Sequence, residues 1–211
     1  MKTKSTILTF VLGVGMLSAS TAATLISFDF TSPDSINGDE TLGSSFKTTM
    51  DGETSATVFD LSALLEGLTL TVTPSQSDIS ITDTGLGIGS GGTLADAGDA
   101  LTFSFNRDIS FDFLDVGGFT PGGNDSVIVS YSNSNPSVTL DAGDFDNNTS
   151  DTITFSSENS LLAGESFTLA RNDGDFSIEG FNVSVVPEPQ LYGALAGLLA
   201  LGLTVIRRRR D

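Results

Sequence analysis

Hydrophobic and polar residues alternate along the middle of the chain with a period of two. Leu25-Ile26-Ser27-Phe28-Asp29-Phe30 opens the series, and Leu68-Thr69-Leu70-Thr71-Val72-Thr73 follows, stopped by Pro74. Ile79-Ser80-Ile81, Leu101-Thr102-Phe103-Ser104-Phe105 and Ile109-Ser110-Phe111-Asp112-Phe113 come next. Val127 to Tyr131, Val138-Thr139-Leu140, Ile153-Thr154-Phe155 and Phe167-Thr168-Leu169 continue it, and Phe176-Ser177-Ile178 and Phe181 to Val185 close it. Such alternation buries one face of a strand and wets the other. The segments are separated by turn residues, as in Pro121-Gly122-Gly123-Asn124-Asp125 and Asn172-Asp173-Gly174-Asp175. About ten short strands punctuated in this way predict an all-β fold, an antiparallel β-sandwich of jelly-roll-like form. Phenylalanine supplies most of its aromatic core. Two segments break the pattern. Leu61 to Leu68 carries apolar residues at 61, 64, 65 and 68, a helical spacing. Thr84 to Asp99 is rich in glycine and predicts a long surface loop, with Asp96 or Asp99 placed to bind a restraining metal.

The two ends of the chain follow other rules. Residues 1–23 have the zones of a secretory signal peptide: Lys2 and Lys4, an apolar run from Ile7 to Leu17, then small residues to Ala23. At the other end Leu191 to Ile206 contains no charged residue, and Arg207, Arg208, Arg209 and Arg210 follow at once. A membrane-spanning helix takes roughly 17–25 apolar residues, so this run is short, but snorkelling arginines extend it at one end. Basic residues beside a span favour the cytoplasmic side, which places everything before Pro187 outside the cytoplasm. The expected organisation is a signal peptide (1–23), a β-sandwich domain (24–185) and a tail with a transmembrane helix (186–211).

Charge sharpens the picture of the central domain. Of the chain's 27 acidic residues, Glu188 and Asp211 lie in the tail. The remaining 25 face three basic residues, Lys47, Arg107 and Arg171, so residues 24–185 carry a net charge of −22. A surface of that sign repels nucleic acid and anionic lipid and attracts cations. The domain is nonetheless too apolar, and too regularly patterned, for a disordered chain.

Candidate chemistry is narrowed by what is missing. The sequence has no histidine and no cysteine. That removes a Ser-His-Asp triad, a thiol nucleophile, the commonest metal ligand and any disulfide. The expectation is a protein that is not an enzyme. Calcium suits the residues present better, since it takes oxygen ligands from acidic turns. Asp144, Asp146 and Asn148 have the alternate spacing of a calcium loop, although Thr149 stands where an EF-hand requires glycine and Phe155 where it requires glutamate. Asp173 and Asp175 form a second candidate, equally readable as a plain hairpin turn. A sugar-binding module is the alternative function. Sugar platforms favour exposed Trp or Tyr, whereas the chain lacks Trp and its central domain holds Tyr131 alone, at the end of an apolar strand.

The order Val186-Pro187-Glu188-Pro189, apolar run, arginine block resembles the PEP-CTERM sorting signal of Gram-negative bacteria. The resemblance covers about an eighth of the chain. It implies a membrane-anchored precursor, recognition by an exosortase-type membrane enzyme, removal of the tail during export, and residence at the cell surface or in an exopolysaccharide matrix. Polysaccharide is the partner it points to.

Overall fold

The computed structural model describes residues 23–31, 33–89, 91–119, 124–141, 143–144, 152–155 and 159–187. Its strands are β1 (Thr24–Asp29), β2 (Ser35–Ile36), β3 (Thr57–Asp60), β4 (Thr69–Pro74), β5 (Ile79–Thr82), β6 (Gly85–Ile88) and β7 (Ala100–Phe105). They continue with β8 (Ile109–Gly117), β9 (Ser126–Tyr131), β10 (Val138–Asp141), β11 (Thr152–Thr154), β12 (Ser160–Leu161), β13 (Ser166–Asp173) and β14 (Ser177–Val185). One helix among the described residues, α1 (Glu40–Met50), lies between β2 and β3. The strands form two antiparallel sheets. One runs β11-β8-β14-β1-β2, with β12 on β8 and the β5–β6 hairpin joined to β14; the other runs β10-β9-β13-β7-β4-β3. The fold is therefore all-β, two antiparallel sheets, as the alternation predicts.

Phenylalanine glues the sheets together. Phe181 of β14 stacks on Phe28 of β1 at 4.5 Å and meets Phe103 of β7 edge-on at 5.0 Å. Phe167 of β13 stacks on Phe111 of β8 at 4.2 Å and on Phe103 at 5.0 Å. All five rings are buried. Each contributes roughly 1.5–3 kcal/mol by leaving water.

The structure departs from the sequence expectation in four places. Leu61 to Leu68 is a pair of turns rather than a helix, closed by Leu64 N–H and Leu65 N–H donating to the Leu61 carbonyl. Gly67 adopts a positive φ there and turns the chain back into β4. The helix is instead α1, whose Ser- and Thr-rich sequence disguises it. The Asp39 side chain caps its first turn by accepting from Thr41 N–H and Leu42 N–H. Phe46 and Met50 then reach the core one turn apart.

The glycine-rich stretch is not a surface loop. Gly85 to Ile88 is a fully buried strand, and Gly92 and Leu94 are buried beyond it. A Cβ on Gly87 would overlap the Gly92–Thr93 backbone, so glycine permits two chain segments to pass in contact. The fourth departure concerns Phe111-Asp112-Phe113, where strict alternation puts both rings inside. Val183 pairs with Phe111 and Asn182 with Phe113, leaving Asp112 as an extra residue. This bulge shifts the phase, so Phe111 is buried and Phe113 is half-buried.

The registers define two poles. At one, Asp141 is opposite Ser126, Ser126 is opposite Asp173, Ala170 is opposite Ala100, and Ser177 is opposite Gly117. At the other, Thr24 and Ile109 both lie opposite Val185, and Leu161 is opposite Ile109. The described chain begins and ends at this second pole.

Candidate functional site

The first pole gathers the acidic turns that the sequence singles out. Asp173 ends β13, and its Oδ1 accepts the N–H of Gly174 at 2.9 Å. The turn is closed from within by Arg171, whose Nε donates to the Gly174 carbonyl and lies 3.9 Å from Asp175 Oδ1. Asp175 is largely exposed. Gly174 has a positive φ, and a Cβ there would overlap the Asp125 carboxylate, which brings Asp125 against the same turn. Asn172 Nδ2 ties this turn to Ser126 Oγ at 2.9 Å. Asp144 stands near by, after β10. Its Oδ2 accepts Asp141 N–H at 3.0 Å, while Asp141 Oδ1 accepts Gly143 N–H at 2.8 Å. The structure thus brings Asp144 to one pole with Asp173 and Asp175, on two separate turns. Asp146 and Asn148 lie outside the described residues.

Asp99 is the acidic residue at this pole with the most structured surroundings. It is buried; its Oδ2 accepts Ala95 N–H and Asp96 N–H, and its Oδ1 accepts Gln76 Nε2. Its carbonyl receives Arg171 N–H. The restraint expected of a metal at Asp96 or Asp99 is supplied by these hydrogen bonds. Asp96 is exposed. Sequence reasoning also missed Asp125, the residue just before β9, and Asp141, the last residue of β10, which pairs with β9.

Among the described residues, no group of three carboxylates stands together as a ready metal cage. Asp99, Asp141, Asp144 and Asp173 each accept a backbone N–H from their own turn. Such bonds leave the negative charge in place, so the pole presents a diffuse acidic field with the half-buried Arg171 beneath it.

Tyr131, the aromatic residue weighed for sugar stacking, is half-buried against the core. Its hydroxyl is enclosed, and burial pushes its pKa up to about 12.

The tail begins at the second pole. Val186 N–H donates to the Asp108 carbonyl at 2.8 Å, and Pro187 is the last described residue. Glu188, Pro189, Arg207, Arg208, Arg209 and Arg210 lie outside the described residues, as do residues 1–22 of the signal-peptide reading. Among the described residues no helix is long and apolar enough to cross a membrane. No protein-family model, no curated protein and no solved structure matches the chain.

Proposed function

We propose that this is an exported, non-enzymatic surface or matrix protein, sorted through a C-terminal signal of the PEP-CTERM kind. Residues 1–23 act as the signal peptide and residues 191–206 as a transmembrane helix in the precursor. The domain between is a sandwich of jelly-roll-like form, and an exosortase-type enzyme removes the tail at the linker around Val186 to Pro189. The observation that carries the reading is the order of the tail: Val186-Pro187-Glu188-Pro189, an uncharged run to Ile206, then four arginines. The proline pair keeps the linker extended and open to a processing enzyme.

After release the acidic pole is the working surface. Its carboxylates associate weakly with calcium, which bridges them to anionic polysaccharide. Binding of this sort is broad and cation-dependent, unlike the saturable recognition of a single sugar.

Two results test the reading. Deleting residues 186–211 should abolish delivery of the protein to the surface fraction of producing cells. Protein recovered from that fraction should bind the cells' own exopolysaccharide in calcium and lose it in chelator. Unchanged delivery of the truncated chain would sink the sorting claim, and binding indifferent to chelator would sink the calcium bridge.

A further inference from the structure

The five large apolar side chains that the described residues leave exposed are not scattered evenly. Leu25, Leu162 and Val186, at 56%, 62% and 40% exposure, lie at the pole where the chain leaves the sandwich. Val58 lies on the edge strand β3 and Val138 begins the edge strand β10, and none of the five lies on the acidic turns.

The three at the exit pole are neighbours. Leu25 is opposite Ser184, so it is diagonal to Val186 on the outer face of the sheet. Val186 N–H donates to the Asp108 carbonyl, and Ala163 N–H to Asp108 Oδ1, which brings Leu162 to the same residue. Of the carboxylates at this pole, Glu165 Oε2 accepts Leu162 N–H and Asn133 Nδ2, and Asp108 is half-buried, while Asp60, which accepts Ser62 N–H, and Glu66 are exposed.

We infer that this pole docks on the surface of the bilayer while the tail is still attached, with Leu25, Leu162 and Val186 entering the interface. The inference rests on the reading of residues 191–206 as a membrane segment. From Pro187 to Leu191 is four residues, which reach at most about 14 Å when fully extended. A sandwich hung on so short a tether cannot stand clear of the headgroups. Of its two poles, the tethered one presents Leu25, Leu162 and Val186 beside two exposed carboxylates, Asp60 and Glu66, whereas the other carries Asp96, Asp125, Asp141, Asp144, Asp173 and Asp175 and no exposed large apolar side chain among the described residues. Anionic lipid repels the second and so reinforces the orientation. Docking holds the Val186–Pro189 linker at headgroup height, where a membrane enzyme reaches it.

The absence of cysteine makes the test direct. The full chain is placed in phosphatidylcholine vesicles containing a nitroxide-labelled lipid, with one fluorophore attached through Ala163→Cys, Asp96→Cys or Leu199→Cys. The fluorophores at 163 and 199 should be quenched and the one at 96 should not. The exposed pair Leu25→Ser and Leu162→Ser should lower quenching at 163 several-fold while leaving the unfolding midpoint unchanged. Quenching at 199 with equally weak quenching at 163 and 96 would overturn the docking and leave the membrane reading intact. No quenching at 199 would overturn both.

Discussion

The two poles of the sandwich are made of the same turn residues, yet they are held in different ways. At the acidic pole the turns are pinned from inside. Asp99 is buried under three donors, Arg171 closes the 173–175 turn, and Gly174 lets the Asp125 carboxylate press against the backbone. At the exit pole the turns are held more lightly. Asp108 and Glu165 each take backbone N–H groups near the surface, and leucine and valine side chains are left in water. The difference shows that an acidic residue in a turn is not in itself a ligand. Its first use is to satisfy backbone donors that a strand ladder no longer reaches. What distinguishes the poles is which charges remain outside once that use is met.

The largest break would come from the layer both poles share. Phe181→Ala empties the meeting point of Phe28, Phe103 and Phe167 and should cost about 4 kcal/mol in urea unfolding. Hydrogen exchange should then accelerate at both poles alike, and acceleration confined to one would contradict a single core. Asp99→Ala should cost about 2–3 kcal/mol, because it removes the buried acceptor of three part-buried hydrogen bonds. Its exchange effect should stay at the acidic pole, in residues 95–99 and 171–176. Glu165→Ala, the counterpart at the exit pole, should cost about 1 kcal/mol. Equal costs for these two would erase the contrast between the poles.

The smallest effect is alkaline. Burial raises the Tyr131 pKa to about 12, above the value near 10 of the unfolded chain. Between those pH values the folded state binds more proton than the unfolded one. The stabilisation from the neutral phenol is complete below pH 10 and is lost as pH rises toward about 12. Tyr131→Phe should remove that part of the alkaline decline, read from unfolding midpoints across the range. An unchanged decline would mean that the phenol is as wet as in the unfolded chain.

Much of this fold is legible in the sequence where one face of a strand is wet. β4 and β7 alternate buried and half-buried positions as their residues do. The signal fails where both faces are covered or the phase slips. β6 shows only glycine, leucine and isoleucine, because neighbouring backbone occupies the space of the missing side chains. Asp112 reads as an outward residue in perfect alternation, yet it is the bulge that turns Phe113 out. Leu42, Phe46 and Met50 were spaced for a helix, and Asp39 for its cap, but Ser and Thr at the other positions masked them. The acidic turns were legible as turns. Their meeting at one pole was not, since it depends on the register of β9 with β10 and β13.

The central claim is that the sandwich is delivered by its tail and then parted from it. The most direct measurement is the intact mass and C-terminal peptide of protein recovered from the surface of producing cells. The account predicts a chain that starts near residue 24 and ends at or near the Val186–Pro189 linker. Recovery of surface protein still ending in Arg207 to Asp211 would contradict it.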